Sequence, residues 1–106
     1  MCRNDLGVDF KFLNKIADIG YQHNFDVRMM PTPQQTCVGR IYFFKDLETV
    51  ISMEYAFSWE QCSLTIYTYN DGKIENAKEW KNLAYTNSIE VKAMFQYITI
   101  ETTKKA

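Results

Sequence analysis

Two segments in the middle of the chain, Thr49–Phe57 and Cys62–Tyr69, alternate between apolar and polar residues with a period of two. On a β-strand successive side chains point to opposite faces, so each segment would present one apolar face and one more polar face. The apolar positions are Ile51, Met53, Tyr55 and Phe57 in the first segment and Cys62, Leu64 and Ile66 in the second. The pattern predicts two strands that cover a hydrophobic core with one face of a sheet.

Turn signals on both sides of this pair predict further strands. Val38–Lys45 is rich in β-branched and aromatic residues and would join Thr49–Phe57 through a hairpin turn at residues 45–48. The Asp-Gly dipeptide at residues 71–72 predicts a second hairpin turn, because it adopts positive φ angles at little steric cost. A short strand at Lys73–Asn76 would follow, and residues 76–80 fit a strand or a helix equally well.

Another alternating segment, Phe25–Met30, predicts a strand before this group. The segment Pro31–Thr36 follows it and contains both prolines of the chain. Since proline lacks the N–H that a central strand needs, we expect a mobile contact loop or an extended edge segment there. The strands together predict an antiparallel meander of four to five strands.

A helical spacing of apolar residues occurs on each side of this sheet. Asp9–Gln22 would form the first helix, with Asp9 as the N-cap. Ser88–Thr99 would form the second, because Asn87 and Glu90 resemble a capping box. The two apolar stripes are Phe10, Leu13, Ala17 and Tyr21 in the first and Val91, Met94, Phe95 and Ile98 in the second. Strand stays an alternative for Ser88–Ile100, where β-branched residues alternate, and residues 102–106 are predicted as a charged tail.

These elements predict an α+β fold with an N-terminal helix, the meander, and a C-terminal helix packed on one sheet face. The helical stripes should meet the sheet at Ile51, Met53, Leu64 and Ile66. A chain of 106 residues with 46% hydrophobic residues predicts a single small globular domain over residues 1–106.

Composition and motifs exclude several classes of chemistry. The three cysteines, Cys2, Cys37 and Cys62, form no CxxC pair, so we predict no metal site, reduced thiols, and packing of the last two as small apolar groups. The four glycines are too scattered for a phosphate-binding loop, and HExxH and GxSxG are absent. We therefore predict no cofactor and no catalytic motif.

The N-terminal sequence and the hydropathy pattern indicate where in the cell we expect the protein. The first ten residues carry charges where a signal peptide needs an apolar stretch, and no apolar run approaches the ~18–20 residues needed to span a bilayer. We therefore expect no membrane association and a cytoplasmic protein, in the producing cell or in a host cell.

Two single residues could still serve chemistry. His23, the only histidine, could act as a general base with Asp18 or Asp26 and a nucleophile such as Cys37, which would make the chain a small enzyme or ligand-binding fold. A solvent-exposed or C-capping histidine is the plainer interpretation. Glu54, in the middle of a strand, could form a pair of acid–base carboxylates with Glu48 or Glu60, as in glycosidases, but the favoured interpretation is a charge that keeps the sheet from pairing with other strands.

The aromatic residues are the strongest functional signal: seven Tyr, seven Phe and two Trp. Tyr67 and Tyr69 lie on the strand face opposite Leu64 and Ile66, while Tyr42 and Phe44 share a face with Arg40. Such residues are frequent in protein-binding surfaces, but sheet aromatics also stack on single-stranded nucleic acid. A third interpretation makes the tyrosines part of the core, with one helix on each sheet face.

We favour a small intracellular protein-binding module that acts by steric blockade of a macromolecular target. In size, aromatic content and mild acidity (net charge −1) the chain resembles, in general character, immunity proteins of bacterial toxin systems and small phage-encoded inhibitors. That resemblance rests on no motif and transfers no residue. The predicted partner is another protein, such as a basic toxin, a nuclease or a defence effector. Nucleic acid is less favoured, and pairing of edge strands leaves a homodimer as an alternative.

The predicted binding residues fall into two groups. Aromatic anchors beside a cation would make the central contact, and acidic residues at the rim would steer a basic partner. The first group is Tyr42, Trp59, Tyr67, Tyr69 and Arg40, and the second is Glu48, Glu60, Asp71 and Glu75.

Overall fold

Two helices lie on one face of a five-stranded antiparallel sheet in the computed structural model, which describes residues 8–32, 35–58 and 60–106. The elements in chain order are α1 (Val8–Gln22), β1 (Asp26–Thr32), β2 (Gln35–Lys45), β3 (Glu48–Phe57), β4 (Gln61–Asn70), β5 (Lys73–Ala84) and α2 (Ser88–Lys105). The strands follow one another in the sheet in the order β1-β2-β3-β4-β5. The predicted α+β architecture, with its meander and flanking helices, is confirmed.

One face of the sheet forms the core, as the alternation predicts. Ile41, Met53 and Ile66 lie side by side across β2, β3 and β4, and all three are fully buried. The helical residues Leu13, Met94 and Ile98 belong to the same buried cluster as Ile51 and Leu64. Both helices therefore cover this face, and the interpretation with one helix on each face is wrong.

Helix α1 begins at Val8, one residue before the predicted N-cap. The predicted stripe is buried at Leu13 and Ala17 but not at Tyr21, and the Phe10 side chain lies outside the described residues. Ile16 is fully buried, whereas Tyr21 is 57% exposed. Gly20 lies against the sheet, where a Cβ atom would lie 2.6 Å from Cγ2 of Val27 and 3.0 Å from the Phe43 ring. The missing side chain lets the helix approach β1 and β2 closely at this point.

Strand β1 continues through part of the segment that was predicted as a loop. Pro31 pairs with Gly39 of β2, on the edge strand, where a missing N–H is tolerated. Strand β2 then begins at Gln35, so the extended-edge alternative is confirmed for Pro31–Thr32. Pro33 and Gln34 lie outside the described residues.

Strand β5 and helix α2 are both longer than predicted. β5 extends to Ala84 and carries mostly exposed polar residues, so it lacks the alternation that marks a strand in sequence. α2 extends to Lys105, and its residues Glu101 and Thr102 are buried, so the predicted charged tail is wrong. The helix itself is confirmed for Ser88–Ile100, and Oδ1 of Asn87 accepts a hydrogen bond from the Glu90 N–H at 3.2 Å.

The two cysteines of the sheet are buried at 1% exposure, as predicted, but they differ in state. Cys62 is a free thiol, and burial raises its pKa to about 11. Cys37 is disulfide-bonded, so the prediction of reduced thiols is wrong for this residue.

Two of the hairpin turns lie at the same end of the sheet. The turns Asp46-Leu47 and Asp71-Gly72 lie at one end, which we call the hairpin end, because β2 and β4 both run toward it. Helix α2 ends there as well, since Nζ of Lys105 lies 3.3 Å from Oε1 of Glu75.

No helix among the described residues is long and apolar enough to cross a membrane.

Candidate functional site: the open face of the sheet

The sheet face opposite the helices, which we call the open face, is occupied by side chains of alternating residues in β1 to β4. Across its middle, Tyr42, Ser52 and Tyr67 lie directly opposite one another on β2, β3 and β4. The next row toward the far end consists of Arg40, Glu54 and Thr65. Both rows follow from the same alternation that buries Ile41, Met53 and Ile66 on the other face.

Four aromatic residues, Tyr42, Phe44, Tyr67 and Tyr69, form a half-buried aromatic cluster on the open face. The rings of Tyr42 and Phe44 lie 6.0 Å apart between centroids. The Ser52 hydroxyl lies 3.2 Å from the Tyr69 hydroxyl and forms a hydrogen bond with it, and only 5% of Ser52 is exposed. The small serine therefore forms a covered floor between larger aromatic side chains.

Two charges of the open face, those of Arg40 and Glu54, are paired with each other. Nη2 of Arg40 lies 3.5 Å from Oε1 of Glu54, and the two side chains are 58% and 46% exposed. A hydrogen bond with Tyr42 and the charge of Glu54 raise the pKa of Arg40. The same carboxylate raises the pKa of Tyr67, because its negative charge opposes ionisation of the phenol. Glu54 thus interacts with a cation on one side and a phenol on the other.

A trough of about 570 Å³ lies over the far half of the open face. Met30 and Tyr42 line it together with the Arg40–Glu54 pair, and its small residues are Gly39, Ala56, Ser63 and Thr65. Its volume is within the range of ~300–1,000 Å³ typical of small-molecule pockets, and it would also accept side chains of a docked segment.

The remaining predicted binding residues do not surround the aromatic cluster. Glu48 and Asp71 are exposed at the hairpin end, whereas Glu60 lies at the opposite end, in the turn between β3 and β4. Glu75 forms an ion pair with Lys105 of α2, so it belongs to the helix side. Trp59 lies outside the described residues. The predicted acidic rim is therefore not one continuous group.

The structure does not bring the predicted His23 site together. His23 is half-buried in the turn after α1, where its backbone N–H donates to the Gly20 carbonyl at 3.2 Å. That turn precedes β1 at the hairpin end, whereas Cys37 lies near the start of β2 at the opposite end and is disulfide-bonded. Among the described residues no group of three metal-ligating side chains occurs.

Sequence reasoning missed two central residues of the open face. Ser52 carries no signal in sequence, since its importance comes from the tyrosines around it. Glu54 was interpreted as a charge against strand pairing or as one of a pair of acid–base carboxylates, and not as a partner of Arg40. The signal that could have found the Arg40–Glu54 pair is opposite charge on adjacent strands, but it requires the correct register.

No protein-family model matches the chain, and no curated protein or solved structure shows significant similarity to it.

Proposed function

We propose that this chain is a small protein-binding module whose open face receives a partner protein and blocks it sterically. The observation that supports this most is the half-exposed aromatic cluster on the face that neither helix covers. Tyrosine and arginine are enriched among the residues that dominate protein interfaces, and Arg40 borders the cluster.

The fixed position of these side chains favours binding. Tyr69 is hydrogen-bonded to Ser52, and Tyr42 interacts with both Phe44 and Arg40. A tyrosine has only two side-chain torsions, so it gives a large contact area at a low conformational-entropy cost. Less rotamer freedom remains to be lost when a partner docks, and affinity increases accordingly.

The general resemblance to immunity proteins and phage-encoded inhibitors suggests the kind of partner: a basic toxin, a nuclease or a defence effector. Steric blockade of such a target requires a surface that binds the target and requires no reactive side chain. Glu48 and Asp71 at the hairpin end could contribute attraction to a basic surface, while Glu75 is already paired with Lys105.

Single-stranded nucleic acid is the weaker alternative for this surface. Stacking on aromatic side chains is sequence-tolerant, but phosphate binding needs available cations. Arg40 is paired with Glu54, and the Arg28 guanidinium lies over the Phe44 ring, 5.6 Å from its centroid. A fluorescent single-stranded oligonucleotide at low salt tests this, and submicromolar binding lost with Tyr42→Ala/Tyr67→Ala would replace our proposal.

The third alternative, a small enzyme or ligand-binding fold around His23, has less support. The trough on the open face is lined by Arg40 and Glu54 rather than by His23. His23 is also separated from Cys37 by most of the length of β2.

We propose the cytoplasm of the producing cell or of a host as the compartment in which the protein meets its partner. The disulfide at Cys37 weighs against it, because cytoplasmic thiols are kept reduced. Alkylation during denaturing lysis followed by mass spectrometry decides: a reduced chain carries label on all three cysteines, and a chain with one disulfide carries it on one.

Affinity capture with matched variants tests the proposed function. Tyr42→Ala/Tyr67→Ala removes two cluster side chains, and Tyr21→Ala removes an exposed tyrosine from the helix layer as the control. We expect wild type and Tyr21→Ala to capture the same protein and to inhibit it when purified, at a one-to-one ratio. The double variant should lose both effects while keeping the melting temperature. Equal capture by all three would contradict the proposal.

A further inference from the structure

The turn between β2 and β3 holds the most exposed large apolar side chain among the described residues. Leu47 is 97% exposed, and it is the backbone conformation of this residue that sets it apart from other exposed apolar side chains. Its backbone φ is +68°, and that of Asp46 is +53°. Two positive φ angles in a two-residue hairpin turn favour glycine at the second position, because an L side chain there crowds the backbone.

The chain contains a matched turn without this cost. Asp71-Gly72 joins β4 to β5 at the same end of the sheet, with φ angles of +52° and +77°. In both turns the flanking residues pair directly, Lys45 with Glu48 and Asn70 with Lys73. The two hairpins therefore share a conformation, and only one of them has a leucine where the other has a glycine.

We propose that Leu47 is an anchor that inserts into an apolar pocket of the partner protein, with basic side chains at the rim of that pocket. The positive φ angle of Leu47 costs stability in the isolated chain, and the exposed side chain gains no burial free energy that would offset this cost. Burial in a partner would supply that free energy, and a two-residue turn presents the side chain without a long loop that must be ordered. Strained backbone positions cluster at functional sites.

The charges around Leu47 favour a basic rim. Both of its chain neighbours are carboxylates, Asp46 and Glu48, and Asp71 follows on the adjacent hairpin. No ion pair joins these three to any residue that the structure describes. Three cations lie near this end: Lys45 is opposite Glu48 and donates to the Lys105 carbonyl at 3.3 Å, the Lys105 ammonium is paired with Glu75, and the Arg28 guanidinium lies over the Phe44 ring. Lys73 is the remaining cation of the second turn.

Leu47 is continuous with the open face. A cleft of about 440 Å³ is lined by Leu47 and Asp46 on the turn and by Phe44, Arg28 and Asp26 on the strands. Phe44 belongs to the aromatic cluster, so a partner that covers the cluster reaches Leu47 without a gap. The inference therefore rests on the proposed function, since it assigns Leu47 to the same partner.

The isolated chain provides the first test. Leu47→Asn keeps the turn, because asparagine tolerates positive φ, and should raise the melting temperature by about 4 °C. Gly72→Leu places a leucine in the matched turn and should lower it by a similar amount. A Leu47→Asn variant that melts lower than wild type would overturn the proposal, since Leu47 would then stabilise the free chain.

Competition provides the second test. A full-length chain carrying the photo-crosslinker p-benzoylphenylalanine at position 67 is irradiated in native lysate while unlabelled variants compete for its adduct. Leu47→Asn should compete at least about tenfold more weakly than wild type, as expected for losing a buried leucine. Leu47→Met should compete like wild type. Ile89→Asn, the matched change at an 81% exposed residue of α2, should also compete like wild type.

The outcomes separate this inference from the proposed function. If Tyr42→Ala/Tyr67→Ala competes weakly and Leu47→Asn competes fully, the open face binds the partner and Leu47 is not an anchor. If every variant competes fully, both proposals fail. An adduct with the mass of two copies of this chain would overturn the anchor in favour of self-association.

Discussion

Arg40 and Glu54 lie directly opposite each other on β2 and β3. This pairing depends on a β-bulge that lies between the pair and the hairpin turn at Asp46-Leu47. Lys45 pairs with Glu48, and a regular ladder from there would place Arg40 opposite Met53. The register shift between Phe43 and Phe44 adds one residue on β3, so that Arg40 meets Glu54 instead. The bulge brings the polar residues of both strands onto the open face and the apolar residues onto the core.

Removing the carboxylate of Glu54 should change the ionisation of Tyr67. We expect Glu54→Gln to lower the pKa of Tyr67 toward its ordinary value, because the negative charge that opposes phenolate formation is lost. NMR titration of tyrosines labelled at Cζ measures this. An unchanged Tyr67 pKa would show that the carboxylate does not reach the phenol in solution.

The buried thiol of Cys62 should make the fold sensitive to alkali. Folding raises its pKa from 9.0 to about 11, so the folded state favours the protonated thiol. The contribution of this thiol to the free energy of unfolding is complete below pH 9 and is lost as the pH rises toward 11. A pKa difference of two units corresponds to about 3 kcal/mol. Urea unfolding at pH 8 and pH 11 should show a smaller pH-dependent loss for Cys62→Ala than for wild type. Equal losses would contradict the assignment.

Gly20 should tolerate no side chain, although alanine is the better helix former. The added Cβ would lie 2.6 Å from Cγ2 of Val27, so Gly20→Ala should cost about 1–3 kcal/mol of unfolding free energy. Asn14→Ala, on the exposed side of α1, is the control and should change the free energy by less than about 0.5 kcal/mol. A Gly20→Ala variant as stable as wild type would contradict the close helix–sheet approach.

The last turn of α2 should contribute to stability. Thr102 and Thr103 both donate hydroxyl hydrogen bonds to the carbonyl four residues earlier, at 2.6 Å and 2.8 Å, but only Thr102 is buried. Thr102→Ala should destabilise by about 1–2 kcal/mol and Thr103→Ala by less than about 0.5 kcal/mol. Chemical denaturation of the two variants measures the difference. Equal effects would mean that the end of α2 frays from the core.

The sequence predicted those features that depend on periodicity. Alternation in β3 and β4 identified the buried face and placed Tyr67 and Tyr69 on the other. Periodicity failed where other forces decide. Strand β5 is held by its ladder with β4 and shows no alternation, and the threonines at the end of α2 resemble a strand although the residues of that turn pack as a helix.

The details of the site needed three-dimensional information. The bulge in the β2–β3 hairpin could not be derived from the turn length, and without it Arg40 has no partner on β3. The role of Gly20 depends on the distance to Val27, which no local pattern encodes. The strain at Leu47 likewise becomes visible only through its φ angle and the matched turn at Gly72.

Site-specific photo-crosslinking tests most directly whether the open face is the binding surface. The crosslinker is placed at Tyr67, or at Tyr21 as the control, in the full-length chain expressed in its native cells. We predict one protein adduct from position 67, suppressed by excess unlabelled wild type and not by Tyr42→Ala/Tyr67→Ala. Position 21 should give no such adduct. The same adduct from both positions, or none from position 67 while position 21 labels a protein, would contradict the account.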